Sequence, residues 1–265
     1  MTARRFDDSW RIAIVVTLTV TLVSCSPAFE SLESPNASTA QPDQFLWERG
    51  VNALEQERWT DARTYFQQII DGYPQSALRP DAKLGIGDSY LGEGSVEAGV
   101  SSTAEFQEFL SFYPTHARAD YAQYKLAMTH FQFMRASERD QTETSAALVE
   151  FDVFFENYQD SQLMAEVRAN WRIARDRLSD SSFRVGLHYF RIQWYPGAID
   201  RFQEVLRDDP DFTGRDQVYF YLAESLSRTD KVAEAIPYFE RLVTEFDTSE
   251  HLDDAKDRLD VLKTQ

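Results

Sequence analysis

The segment ARTYFQQIIDGYP, residues 62–74, decides the fold, because its spacing recurs in four further places along the chain. A small residue, Ala62, stands four positions before Phe66, and an aliphatic residue, Ile70, stands four positions after it. Spacings of three and four place side chains on one face of an α-helix. The same register surrounds four more phenylalanines: Phe106, Phe151, Phe202 and Phe239. The sequence therefore predicts five copies of one amphipathic helix.

A second column of small residues lies upstream of each phenylalanine and predicts a partner helix in every copy. Its members are Gly50, Gly87, Ala127, Gly186 and Ala223. Gly50 precedes Phe66 by 16 residues, and the fourth and fifth copies have the same separation. This length suits two antiparallel helices joined by a tight turn. In the second and third copies the extra residues fall in polar stretches, 92–99 and 135–144, as expected of loops.

The combined pattern resembles the tetratricopeptide repeat, in which a small residue stands at position 8, alanine at 20, phenylalanine at 24 and proline at 32. The first and fourth copies match it without gaps. We therefore predict an all-α fold, a solenoid of five tetratricopeptide-like helix pairs that covers residues 45–248. The alternative is a single irregular helical bundle.

Two further helices are predicted around this array. The interval between the third and fourth copies is 14 residues longer than the others, and an apolar stripe runs through it without a break. The stripe consists of Met164, Val167, Trp171, Ala174 and Leu178. It predicts one long joining helix over about residues 162–192. Residues 249–265 are predicted to form a C-terminal capping helix, because the last repeat of an array needs a cover with a polar outer face.

The N-terminal residues 1–24 have the layout of a secretory signal peptide. Their apolar run, residues 12–24, is too short to span a bilayer, which needs about 20 residues. The run ends in Leu-Val-Ser-Cys, which resembles a bacterial lipobox. The resemblance implies that Cys25, the single cysteine, carries the lipid anchor; the alternative is an ordinary signal peptide beside a stray thiol. Ser26, in place of aspartate, implies the outer membrane.

The composition limits partners and chemistry. Residues 25–44 are rich in Ser, Pro, Ala and Gln and are predicted to be a flexible tether. The formal net charge of −17 predicts no nucleic-acid partner and no basic membrane-surface patch. The four histidines lie far apart, and no catalytic motif occurs. The chain is therefore predicted to be no enzyme and to hold no cofactor and no metal.

Three segments resemble the BamD family, lipoproteins of the outer-membrane β-barrel assembly machinery. They are FLSFYPTHARADYAQYKLAMTHF (109–131), ERDQTETSAALVEFDVFFENYQDSQLMAEVR (138–168) and RDRLSDSSFRVGLHYFRIQWYPGAIDRFQEVLRDDP (175–210). The resemblance covers about residues 45–248. It implies a scaffold on the periplasmic face of the outer membrane, attached by its lipid. Its implied partners are a BamA-like barrel subunit, bound through that subunit's periplasmic domains, other assembly lipoproteins, and unfolded outer-membrane proteins.

Other readings of the function remain open at this stage. The chain could be another tetratricopeptide-repeat lipoprotein, acting in pilus secretion or in cell-wall and envelope coordination. A periplasmic hydrolase is the alternative from another class, but it would need a catalytic site that the sequence lacks.

Five residues are candidates for partner contacts. The resemblance implies a peptide groove on the first helices of the N-terminal repeats, and its candidate residues are Tyr90, Tyr121, Tyr124 and His130. Core packing would explain each of these equally well. Arg201 stands beside the packed Phe202, so it is predicted to point outward and to form an ion pair with a partner. The alternative is a solvated arginine paired with a neighbouring glutamate.

Overall fold

A computed structural model describes residues 41–264, and within this range the chain forms eleven α-helices and no strand. The helices are α1 (Pro42–Glu55), α2 (Trp59–Gly72), α3 (Arg79–Glu93), α4 (Val96–Phe112), α5 (Ala119–Gln132), α6 (Thr142–Asn157), α7 (Met164–Arg191), α8 (Tyr195–Asp208), α9 (Arg215–Ser227), α10 (Val232–Glu245) and α11 (Leu252–Leu262). Cys25, the predicted signal peptide and residues 25–40 of the predicted tether lie outside the described residues. Helix α1 begins at Pro42, so residues 42–44, which we assigned to the tether, are helical.

Each helix packs chiefly against the next one along the chain, as in a solenoid. The five repeating phenylalanines are fully buried. Burial of such a side chain contributes about 1.5–3 kcal/mol. The aromatic columns that identified the repeat therefore form the core, and the predicted all-α solenoid of tetratricopeptide-like pairs is confirmed.

The small residues upstream of the phenylalanines permit a close approach of the paired helices. A Cβ atom added to Gly50 would lie 2.5 Å from Cε1 of Phe66, and one added to Gly186 would lie 2.6 Å from Cε1 of Phe202. Real Cβ atoms are not found at such distances, because two non-bonded carbon atoms would overlap well inside their optimal separation of about 3.5–4.0 Å. A small residue is thus needed where each ring crosses the first helix; three copies have glycine there, and the other two have Ala127 and Ala223.

The long joining helix is present as α7, whose 28 residues extend for about 42 Å. Its first half packs on α6, and the predicted stripe from Met164 to Leu178 lies in one apolar cluster with Phe151 and Phe154. Its second half packs on α8, where Phe183 and Gly186 meet Phe202. One helix therefore contributes to the cores of both halves of the array.

The C-terminal helix α11 covers α10 with its buried face, which consists of Ala255, Leu259 and Leu262. Arg258 of this helix also pairs with Glu224 of α9, a carboxylate that is nearly inaccessible to solvent. The predicted capping helix is present, within the narrower bounds Leu252–Leu262.

In three of the repeats, a polar contact that the repeat pattern did not predict joins the end of the second helix to the start of the first. In each, a serine hydroxyl after the second helix donates to an aspartate in the first turn of the first helix, with an oxygen–oxygen distance of 2.6 Å. The pairs are Ser76 with Asp43, Ser161 with Asp120, and Ser249 with Asp216. The aspartates stand seven positions before the small residue of their repeats, so the column was visible in the sequence.

Candidate protein-binding surfaces

Tyr121 on α5 contacts the neighbouring first helix α3. Its hydroxyl donates to both carboxylate oxygens of Asp88 at 2.9 Å, and the guanidinium of Arg118 lies 4.4 Å from its ring centroid. Burial and the charge of Asp88 raise the pKa of Tyr121 above its ordinary value. The phenol therefore stays a proton donor at all physiological pH values and fixes the spacing of α3 and α5.

Tyr124, one turn further along α5, faces α7 instead. Its hydroxyl donates to Oε1 of Glu166 at 2.6 Å and accepts from Nδ2 of Asn170 at 3.0 Å. Burial, followed by the bond to Glu166, raises the pKa of Tyr124. The residue is 6% exposed, so in this structure its ring belongs to the core.

Tyr90 on α3 is half-buried and lies beneath a cation from the preceding helix. The guanidinium carbon of Arg63 lies 4.3 Å from the Tyr90 ring centroid, and Nη1 of Arg63 pairs with Glu93 at 2.8 Å. One face of the ring is thereby covered. Tyr90, Tyr121 and Tyr124 thus lie at three different helix interfaces.

His130, near the end of α5, is the groove candidate beside a cavity. Its Nδ1 lies 2.8 Å from Oε2 of Glu143, and the imidazole is 21% exposed. The cavity holds about 240 Å³. Its lining includes the side chains of Val96, Val100, Phe133 and Arg135.

The two valines of this cavity are the part that sequence reasoning missed. Val96 is 68% exposed and Val100 is 71% exposed, both on the first turns of α4. The sequence did contain a signal for them, because both valines are apolar residues at positions where the repeat pattern does not require one. With Phe133 they form an apolar surface beside the polar His130–Glu143 pair, a combination suited to an apolar side chain of a peptide.

Arg201 projects from α8 beside the buried Phe202 and is 45% exposed; within the chain it forms the alternative named above, a solvated pair with a neighbouring glutamate, and its ion pair with a partner stays a prediction. Its Nη1 lies 2.7 Å from Oε2 of Glu204, one turn away on the same helix. Exposed pairs of this kind contribute at most about 1 kcal/mol. The arginine can therefore exchange its intrahelical partner for another carboxylate at small cost.

Asp209 is the one polar residue in a column that is otherwise aromatic, and the structure explains the exception. Tyr73, Tyr113, Tyr158 and Phe246 occupy the equivalent positions. Asp209 is 4% exposed and accepts a hydrogen bond from Arg172 Nη1 at 3.0 Å and another from the Ser179 hydroxyl, both on α7. Burial alone would raise the pKa of Asp209, but these bonds and the charge of Arg172 outweigh it and lower the pKa.

The contacts of Asp209 join the end of α8 to the middle of the long helix. The backbone N–H of Thr213 adds a bond to Asp176 of α7 at 3.0 Å. We name the group Arg172, Asp176, Ser179 and Asp209 the α7 polar cluster. It fixes the fourth repeat against the helix that also packs on the third.

Residues 41–264 contain neither a metal-binding cluster nor a membrane-spanning helix. Within residues 41–264, no group of three or more His, Cys, Asp or Glu side chains is arranged to hold a metal ion. No helix in the same range is both long enough and apolar enough to cross a membrane. The Nδ1 atom of His116 accepts a hydrogen bond from the N–H of Arg118 at 3.2 Å.

The fold and its surfaces define a tetratricopeptide-like repeat protein, and comparison with known proteins narrows the class. The family model YfiO, described as an outer membrane lipoprotein, matches residues 39–228, and a tetratricopeptide-repeat model matches residues 217–249. The first match covers more than half of the chain. The chain therefore belongs to this family of outer membrane lipoproteins.

Curated relatives and a solved structure were also found. The outer membrane protein assembly factor BamD of Caulobacter vibrioides is 25% identical over 186 residues, which are 70% of this chain and 60% of that protein. The BamD of Vibrio cholerae is 23% identical over 200 residues, 72% of this chain and 82% of that protein. The chain thus spans about 60% of the length of the Caulobacter relative. The structure of the TPR2AB domain of yeast Sti1 in its pHSP90 complex covers 84% of both chains at 8% identity, with a TM-score of 0.49.

Proposed function

We propose that this protein is a non-catalytic scaffold for the assembly of outer-membrane β-barrel proteins. A lipid on Cys25 would hold it on the periplasmic face of the outer membrane. There it would bind a BamA-like barrel subunit and unfolded outer-membrane proteins, alongside other assembly lipoproteins. The observation that carries the proposal is the family match over residues 39–228, nearly the whole repeat array, together with relatives that are themselves named assembly factors.

The geometry of the N-terminal repeats supports the binding of a substrate peptide. Stacked helix pairs present their first helices along one surface, where extended or helical peptides can bind. In this chain the cavity beside His130 would accept an apolar or aromatic side chain against Val96, Val100 and Phe133. The guanidinium of Arg135, which lines the same cavity, would favour a carboxylate close to that side chain.

The fourth repeat supports the binding of the barrel subunit. Arg201 is exposed and is engaged only by a solvated partner on its own helix in the contacts of residues 41–264. The α7 polar cluster holds α8 in place, so the guanidinium is presented from a rigid helix. A rigid, exposed arginine is a frequent anchor of protein interfaces.

Affinity isolation tests this proposal. Full-length chain is isolated from membranes of its own cells, and the captured proteins are quantified by mass spectrometry. We expect a barrel protein with repeated periplasmic domains in near-equal amount to the chain. Capture dominated by pilus or cell-wall proteins, with no such barrel, would instead support the alternative repeat-lipoprotein function and overturn the proposal.

A charge reversal then tests the interface. Arg201→Glu is expected to reduce capture of the barrel subunit at least tenfold. Arg207→Glu is the matched control, because Arg207 lies on the same helix, is 69% exposed and pairs with the same Glu204. Equal capture by both variants would exclude Arg201 from the interface while leaving the assembly function intact.

A further inference from the structure

The last two turns of α7 carry two adjacent stripes of opposite character. One stripe is apolar and consists of Val185, Tyr189 and Ile192; Val185 is 41% exposed and Ile192 is 57% exposed. The other is basic and consists of Arg184, His188 and Arg191, all of them exposed. Both stripes follow the spacing of four and three that keeps residues on one face of a helix. The helix end is therefore amphipathic on its outer surface as well as on its buried face.

Trp194 extends the apolar stripe beyond the end of the helix. Its indole is 52% exposed and packs edge-on against Tyr189, with the ring centroids 4.6 Å apart and the planes at 77°. Beneath it lies Gly197, where a Cβ atom would be 2.6 Å from Cε3 of the indole. We name Val185, Tyr189, Ile192 and Trp194, with the flanking basic stripe, the Trp194 surface.

The turn that presents Trp194 is fixed by its backbone. Gln193 has a φ of 63°, in the left-handed region that side chains rarely adopt. The N–H of Gln193 donates to the carbonyl of Phe190 at 3.0 Å, and the N–H of Trp194 donates to the carbonyl of Tyr189 at 2.9 Å. The indole is thus held outward in a defined position and does not collapse into the core.

The charge of this surface departs from that of the chain as a whole. The net charge is −17, yet residues 181–199 contain no Asp or Glu. Of the basic stripe, Arg184 is engaged by Asp180 at 2.9 Å and by Glu138 at 2.7 Å. On the far side of the turn, Arg228 of the fifth repeat lies 5.6 Å from the ring centroid of Tyr195, and its Nε pairs with Glu224 at 3.4 Å. Because carboxylates pair with Arg184 and Arg228, the surface is close to neutral, whereas the chain as a whole is strongly acidic.

We propose that the Trp194 surface docks on the lipid headgroup layer of a membrane. Tryptophan and tyrosine favour the headgroup level, where one side of the ring is apolar and the other is hydrated. Arg191, beside the apolar stripe, can donate hydrogen bonds to a headgroup phosphate. The inference rests on the proposed attachment through Cys25, because so small an apolar surface binds a bilayer weakly unless a second anchor keeps it there.

Quenching of tryptophan fluorescence tests the docking. The full-length acylated chain is reconstituted in vesicles of phosphatidylethanolamine and phosphatidylglycerol, with and without bromine on the acyl chains. Bromine quenches only indoles that reach the bilayer. Trp194→Phe is expected to remove at least half of the quenching seen in the unaltered chain. Trp171→Phe is the matched control on the same helix, because the Trp171 indole is bonded to Asp152, and it is expected to leave quenching unchanged.

Quenching that is the same in Trp194→Phe and in the unaltered chain would overturn the docking. Flotation of the same vesicles separates the two claims. If the chain floats but its quenching does not depend on Trp194, the lipid anchor is supported and the docking is refuted. If the chain does not float, both the lipid anchor and the docking are refuted. In cells, a photo-crosslinker in place of Ile192 should form lipid adducts. Adducts to a protein instead would make this surface a protein interface and contradict the proposal.

Discussion

Replacing Asp209 with asparagine should loosen the junction between the two halves of the array. The substitution keeps the size of the side chain but removes its charge. Arg172 then faces a neutral amide and retains only Asp176, at 2.9 Å, as an ionic partner. The hydroxyl of Ser179 loses a charged acceptor as well.

The cost follows from burial. Removing one partner of a fully buried ion pair costs about 3–5 kcal/mol. Arg172 is 25% exposed and keeps Asp176, so part of its charge remains solvated and compensated. We therefore expect Asp209→Asn to lower the free energy of unfolding by about 2–3 kcal/mol.

Urea denaturation followed by circular dichroism measures this change. Asp208→Asn is the matched control, because Asp208 is the neighbouring residue, is 51% exposed and pairs with Arg207 at 3.0 Å. An exposed pair contributes at most about 1 kcal/mol, and we expect less than half of that here. If Asp209→Asn and Asp208→Asn had the same unfolding midpoint, the buried cluster would not hold α8 to α7.

The pH dependence of the difference has a defined sign. The pKa of Asp209 is lowered in the folded state, so its contribution is complete above the pKa of the unfolded state, about 3.9. It is lost as the pH falls through the lower, folded-state pKa. The difference between the unaltered chain and Asp209→Asn should thus be constant from pH 5 to 8 and should shrink below about pH 3.9. A difference that grew toward acid pH would contradict the assignment.

Two other substitutions probe the packing of the repeats. Gly186→Val should cost about 1–3 kcal/mol, because its side chain would collide with Phe202; Gly72→Ala, with no atom within 4 Å of the added carbon, should be nearly neutral in the same urea titration. Equal effects of the two would argue against close helix approach at Gly186. Tyr124→Phe removes the bond to Glu166 and should cost about 1–2 kcal/mol by differential scanning calorimetry, and an unchanged melting temperature would contradict that bond's role.

The repeat array could be predicted from the sequence because its signals are local and periodic. Each phenylalanine lies within 24 residues of the small residue it packs against, so the pairing of helices was readable from spacing alone. The long helix α7 was predicted to within two residues at its start and one at its end, since the stripe from Met164 onward never breaks. The same locality made the capping helix visible.

Contacts between residues that are far apart in the sequence were harder to predict. Asp209 was visible as an exception in an aromatic column, but its partner Arg172 lies 37 residues away, and only the packing of α8 on α7 brings them together. For the groove candidates, the sequence predicted the helix but not the direction in which each side chain points. The sequence placed Tyr124 and His130 on one helix, while the structure directs Tyr124 into the core and His130 toward a cavity.

The net charge of the chain did not describe every part of its surface. A total of −17 averages over all faces of the molecule, and it concealed a stretch, residues 181–199, that has no acidic residue. The turn at Gln193 recurs at Glu57 and Asp230, which have a positive φ at the equivalent positions of their repeats, but only the structure shows that Ile192 and Trp194 are exposed beside it. Local charge could have been read from the sequence, but its combination with exposed aromatic rings required the structure.

The central claim, that this chain assembles outer-membrane barrels, is tested most directly by depleting it from its own cells. Outer membranes are collected during depletion, and their proteins are quantified by mass spectrometry. We expect β-barrel proteins to decline together while other outer-membrane lipoproteins keep their amounts, and expression of the unaltered chain to restore the barrels. Barrel proteins that stay constant after the chain has disappeared would contradict it.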